Sequence, residues 1–168
     1  MVGQTGAGKE CPVKIVAGGQ TGVDLAALQF ALENNIPYGG WVPRGRTNEA
    51  GQIPERFSGL IETQSEDVSE RTKLNVRDCD VLLIFQDESS SPGTKLTIEF
   101  AQEIGKPFLV VDLRKGVDAC VRQSRRWIAS HPSAVLNIAG PRESEAPEIG
   151  AKVKEILRQS FPSSSKTP

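Results

Sequence analysis

Metal-binding chemistry is thinly provided in this chain. It has one histidine, His131, and three cysteines, Cys11, Cys79 and Cys120, none of them in a CxxC pair. A lone histidine with scattered thiols does not build a zinc site, and an odd, unclustered cysteine set points to a reducing compartment. Net charge is equally scarce: 20 Lys+Arg against 21 Asp+Glu leave −1. No overall field draws nucleic acid or a membrane surface, so an anion site has to be local. No apolar run nears the roughly 18 residues a membrane span needs, and no signal peptide is evident. The expectation is a cytoplasmic protein without nucleic-acid or membrane partners. No internal repeat is present. What remains is 168 residues, 38% hydrophobic and 24% charged, enough for one globular domain with a sizeable core.

That domain is punctuated by strands that stop at glycine and hydroxyl residues. Val13-Lys14-Ile15-Val16-Ala17 ends at Gly18-Gly19-Gln20-Thr21-Gly22, and a helical pattern follows at Val23, Ala26, Ala27, Phe30 and Ala31. Strand, tight turn and helix in that order leave the first helical N–H groups pointing at one spot, where the helix dipole favours an anion. The bland alternative is a connecting turn. Asp80–Phe85 is apolar on both faces and reads as a central strand of a parallel sheet. A second such helix start comes at Gly93-Thr94-Lys95-Leu96-Thr97. Lys106–Leu113 and Ser133–Gly140 read as further strands, the latter running into Pro141-Arg142-Glu143-Ser144-Glu145. Helix starts of this kind converge at the carboxyl edge of a parallel sheet, where ligands bind.

The connecting segments read less sharply. Gly3–Lys9 fits GxxxxGK, but no strand precedes it and Glu10 stands where a magnesium-binding hydroxyl belongs, so it is rejected as a nucleotide loop. Tyr38–Pro43 reads as a short strand, Arg44–Pro54 as a polar loop, and Leu60–Thr63 as another short strand. Ser65 is expected to cap a helix running to about Asp78, in which Arg71, Asn75 and Arg77 reach either a ligand or solvent. Lys95 and Glu99 read as a surface pair, Trp127 as core or subunit contact, and His131 as a helix-end cap. A last helix is expected from about Pro147 to Ser160. Residues 1–12 are expected to form a flexible leader, 13–160 a single Rossmann-like domain, and 161–168 a disordered tail. The fold class is α/β: a three-layer sandwich with a mostly parallel central sheet and helices on both faces.

Taken together, Gly18–Asp24, Gly39-Gly40-Trp41, Arg44-Gly45-Arg46, Arg71-Thr72 with Asn75–Asp78, Gly93-Thr94 with Leu96-Thr97, and Leu136–Ser144 resemble the molybdenum cofactor carrier family. That family lies in a Rossmann-like superfamily with the lysine-decarboxylase-like proteins. The resemblance spans about Val13 to Leu157. It implies a non-catalytic homo-oligomer, a dimer or tetramer, that stores, protects and transfers molybdenum cofactor, with molybdoenzymes as recipients. The cofactor is a pterin dithiolene that carries molybdenum and a terminal phosphate. The implied contacts are Gly18, Gly19, Gln20, Thr21, Gly22, Arg46, Gly93, Thr94, Thr97, Arg142 and Ser144. The phosphate would sit at either glycine turn, and Arg46 would close over the ligand. No catalytic residue and no protein metal ligand is implied. The chain departs from the family pattern at Arg44, where lysine is expected, at Leu25, where arginine is frequent, and at Glu148, where glycine is common. The rival readings are a nucleotide-sensing module and a phosphoribohydrolase-like enzyme acting on nucleoside monophosphates. In the enzyme reading the first carboxylate after Gly93-Thr94 is Glu99.

Overall fold

The computed structural model describes residues 14–89 and 91–162. The leader, its GxxxxGK stretch, Cys11 and the tail beyond Pro162 lie outside the described residues. Six strands form one parallel sheet in the order β5-β2-β1-β8-β6-β7. They are β1 (Lys14–Val16), β2 (Tyr38–Val42), β5 (Leu60–Glu62), β6 (Val81–Gln86), β7 (Phe108–Asp112) and β8 (Val135–Ala139). The intervening helices are α1 (Val23–Glu33), α2 (Val68–Asp78), α3 (Pro92–Glu103), α4 (Val117–Ser130) and α5 (Ile149–Ser160).

Side-chain alternation explains the three layers. On β6, Leu83 and Phe85 join the core beneath α1, α4 and α5, which also takes Ile15, Leu136 and Ile138. Leu82 and Ile84 face the other way, toward Val76 of α2 and Ala101 of α3. All five residues Val81–Phe85 are buried, as a strand covered on both sides requires. The fold class is therefore the expected one, with the sheet fully parallel.

Four local features differ from the sequence reading. The polar loop after β2 holds a small antiparallel hairpin, β3 (Thr47–Asn48) with β4 (Gly51–Gln52). Asp67, not Ser65, caps α2: its carboxylate accepts from the Ser69 N–H at 2.9 Å, while Ser65 Oγ accepts from Asp67 itself at 3.0 Å. Two acceptors compete at that turn, and the one nearer the helix reaches its first free amides. Phe161, expected in the tail, is buried with its ring centroid 5.0 Å from that of Phe30. Finally, α5 begins at Ile149 because Glu148 sits at φ 70°, a left-handed conformation that strains an L side chain.

Glu148 is exposed, and its N–H donates to Glu143 at 2.6 Å, so only the backbone conformation is constrained. Glu148→Gly relieves the strain but adds freedom to the unfolded chain. The expected balance is a gain of about 0.5 kcal/mol. A thermal melt should read this as a rise of roughly 1–2 °C.

Candidate functional site

The chain runs outward from β1 to β2 and β5, restarts at β6 and β7, and returns through β8 to the middle. The loops after β1 and β6 therefore diverge, with the loop after β8 between them. Such a crevice at the carboxyl ends of the strands is where open α/β sheets bind ligands. A cleft of about 180 Å³ lies there, lined by Gln20 and Asp24 from the first turn, Arg71 and Thr72 from α2, Ser91–Thr94 and Thr97 from α3, and Gly140, Arg142 and Glu145 after β8.

The two glycine turns are used differently. At the first, the amides of Gln20 and Val23 and the Thr21 hydroxyl are already engaged. The Gln20 N–H donates to Asp24 Oδ2 at 3.2 Å, and the Val23 N–H to the Pro141 carbonyl at 3.3 Å. Thr21 Oγ1 accepts from the Glu143 N–H at 3.1 Å and donates to Glu49. The turn thus carries its own anion, the Asp24 carboxylate. Gly18 is needed for the counter-ion: a Cβ there would stand 1.9 Å from Arg71 Nη1.

Arg71 reaches Asp24 Oδ2 at 3.3 Å, with side chains only 13% and 6% exposed. Burial raises the Asp24 pKa despite the opposing pull of Arg71, and burial lowers that of Arg71 despite Asp24. Both directions say that desolvation outweighs the attraction. Such a pair is costly to keep, and perturbed groups in a cleft are candidates for a functional site.

The second turn is open. Ser91 caps α3, its Oγ accepting from the Thr94 N–H at 3.3 Å. A Cβ on Gly93 would meet nothing within 4 Å among the described residues, which leaves space above the helix start. Thr97 Oγ1 is tied to the Gly93 carbonyl at 2.9 Å. Thr94 Oγ1 and Arg71 Nε are buried and have no hydrogen-bond partner among the described residues. Two orphaned polar atoms at one cleft are open to a ligand or an ordered water.

The remaining expected contacts divide. Arg142 lines the cleft, its Nε donating to Glu145 at 3.1 Å. Ser144 donates to Glu49 through its N–H at 3.1 Å and its hydroxyl at 2.5 Å. Gly19, at φ 78°, packs against Ile53 and Val42 and does not line the cleft. Gly22 docks onto Pro141–Glu143. Arg46 does not close over the cleft. Its guanidinium donates to the Phe57 carbonyl at 3.0 Å and the Leu60 carbonyl at 3.4 Å, fixing the base of the hairpin.

Of the three α2 residues left open between ligand and solvent, only Arg71 enters the cleft. Asn75 pins α2 to β2 by exchanging two hydrogen bonds with the Trp41 backbone, at 2.8 and 3.0 Å. Arg77 pairs with Asp78 at 2.7 Å. Asp24, Ser91, Glu145 and Glu49 join the site only through the fold, and of these Asp24 alone has a local signature, as the acid closing the Gly18–Asp24 motif. Glu99 pairs with Lys95 at 3.9 Å on the surface and borders a depression beside α3 that shares Ser91 and Thr94 with the cleft. Burial pushes the Cys79 thiol up to about 12 and raises that of Cys120. Neither is poised as a thiolate ligand. Among the described residues no cluster of His, Cys, Asp and Glu could hold a metal ion, and no helix is long and apolar enough to cross a membrane.

A doubly wound parallel sheet with a cleft at its switch point defines a Rossmann-like fold, whose members bind ligands at that crevice. The circularly permutated YpsA SLOG family matches residues 15–161, and the chain belongs to it. A crystal structure from Syntrophus aciditrophicus SB described as a "Putative molybdenum carrier protein" is 41% identical, with a TM-score of 0.86. The match covers 92% of this chain and 98% of that one. The resemblance read from the motifs is thereby supported by a relative along nearly the whole chain. No curated protein matches.

Proposed function

We propose that the cleft holds the terminal phosphate of molybdenum cofactor, and that the protein stores, protects and hands over this cargo without catalysis. The carrying observation is the pair of orphaned buried donors, Arg71 Nε and Thr94 Oγ1, at the open start of α3. A phosphate supplies acceptors to both, and the helix dipole adds to its attraction. Asp24 with Arg71, and Arg142 with Glu145, nearly cancel in charge. The attraction therefore comes from directed donors rather than from net field. A cleft of about 180 Å³ suits a phosphate-sized group and is smaller than the roughly 300–1,000 Å³ that holds a whole drug-sized ligand. The pterin would then extend beyond its rim. The 41% identical relative described as a molybdenum carrier agrees with this reading. Delivery to molybdoenzymes and assembly as a homo-oligomer belong to the same proposal.

The test is molybdenum and pterin content after purification without oxygen. Near-stoichiometric content in the wild-type protein, reduced about tenfold or more in Thr94→Val, is expected, because the variant removes a buried donor. Absence of both from the wild-type protein, or displacement of added cofactor by an equal concentration of adenosine monophosphate, would refute the assignment. Release of free base from that nucleotide, dependent on Glu99, would favour the hydrolase instead.

A further inference from the structure

The tip of the β3–β4 hairpin delivers a carboxylate to a second set of donors. Glu49 Oε1 accepts from the Ser144 N–H at 3.1 Å and from the Thr21 hydroxyl. Glu49 Oε2 accepts from the Ser144 hydroxyl at 2.5 Å and lies 3.9 Å from Arg142 Nη1. Two loops that are 95 residues from Glu49 at Ser144 and 28 at Thr21 therefore converge on one acidic side chain. Glu49 is exposed as a residue, yet its side chain is only 25% exposed. Hydrogen bonds from Ser144, and next from Thr21, hold its carboxyl below the usual range.

We propose that Thr21, Arg142 and Ser144 form an oxyanion subsite which Glu49 occupies as an internal competitor, and that the hairpin tip must lift to admit a ligand. The choice of cargo rests on the reading above, but the competition does not. The donor set is the same chemistry that binds phosphate or an oxo-metal centre: one backbone N–H, two hydroxyls and a guanidinium around a single point. Arg142 belongs to both this cradle and the cleft at α3, so the two are contiguous. Lifting the tip would turn a small cleft into a two-point site for a ligand with two anionic groups.

The hairpin is built for such movement at one end only. Its root is fixed by buried Ile53 and Phe57 and by the Arg46 bonds to the Phe57 and Leu60 carbonyls. Its tip has strands of two residues each and exposed residues from Glu49 to Gln52. Besides Glu49, the tip is tied to the first turn by Asn48 Nδ2, which donates to the Gly19 carbonyl at 3.0 Å. Few buried contacts and a short ladder make a segment that opens at low cost.

The test uses inorganic phosphate and molybdate as separate probes, titrated calorimetrically into the full chain at constant ionic strength. Glu49→Gln removes the charge and keeps an acceptor. It should tighten binding of at least one probe about tenfold, since a charge-assisted competitor becomes a neutral one. Glu49→Ala should do the same or more. Adding Ser144→Ala to Glu49→Gln should return the affinity to the wild-type value. Unchanged affinity in folded Glu49→Gln overturns the proposal, and so does a gain that survives Ser144→Ala, because the anion is then bound elsewhere. Should Glu49→Ala not fold, Glu49→Gln decides. No pterin enters this experiment, so failure of the cofactor test and failure of the competition are separately visible.

Discussion

Arg71→Met is expected to cost about 3–5 kcal/mol, since it strands the Asp24 carboxylate in a site where that side chain is 6% exposed. In a denaturant series the midpoint falls, and the thermal midpoint drops by roughly 10 °C. The cost should depend on pH in a defined direction. Burial already raises the Asp24 pKa above its ordinary value of 3.8, and Arg71 opposes that rise. Removing Arg71 raises it further. A carboxyl whose folded pKa exceeds its unfolded one contributes stability below the unfolded value and loses it as pH climbs through the folded one. The penalty of Arg71→Met is therefore largest at neutral pH and shrinks as pH approaches 3.8. Asp24→Asn/Arg71→Met should recover most of the lost stability, because a neutral amide still accepts from the Gln20 N–H that now donates at 3.2 Å. The double variant should not recover oxyanion binding, for the orphaned Arg71 Nε is gone. A single variant as stable as wild type at neutral pH would show that the pair is not the buried, costly device its pKa directions indicate.

The contrast between that pair and the β6 strand shows what the chain discloses in one dimension. Val81–Phe85 is legible as a central strand because burial on both faces demands a continuous apolar run, a purely local signature. The helix starts after Gly22 and at Gly93 are legible for the same reason. Their different fates are not. Whether a turn's amides stay free depends on which side chain folds back on them. Asp24 and Arg71 are 47 residues apart, and Glu49 and Ser144 are 95 apart. Arg46 is a comparable case. A guanidinium beside a glycine in a polar loop fits phosphate recognition, yet here it donates to the Phe57 and Leu60 carbonyls that follow the hairpin. The hairpin itself was hidden because strands of two residues have no periodicity to read. What sequence supplied was the set of loops that meet. What it withheld was which members spend their hydrogen bonds on each other.

Gly22→Ala tests that meeting of loops, and the expected loss is about 3–5 kcal/mol from two additive causes. Gly22 adopts φ 78°, ψ −124°, a region in which an L side chain is strained. Its added Cβ would also lie 2.5 Å from the Pro141 carbonyl oxygen and 2.8 Å from the Glu143 nitrogen. Both are backbone atoms, so no side chain can rotate away. The loop after β8 must retreat, which breaks the Val23 N–H bond to Pro141 and the Glu143 N–H bond to Thr21. Arg142 and Ser144 move with it, so oxyanion binding should fall together with stability. Gly93→Ala is the informative partner. Among the described residues nothing lies within 4 Å of a Cβ there, and the residue is helical. Its stability should stay within about 0.5 kcal/mol of wild type, since the helix propensity of alanine offsets any small loss. Its methyl group would nonetheless enter the space above the α3 start, where the anion is proposed to sit. Weakened binding in a fully stable Gly93→Ala protein, beside joint loss in Gly22→Ala, separates the turn that supports the site from the turn that holds the ligand. Full-affinity binding in Gly93→Ala would move the anion away from α3.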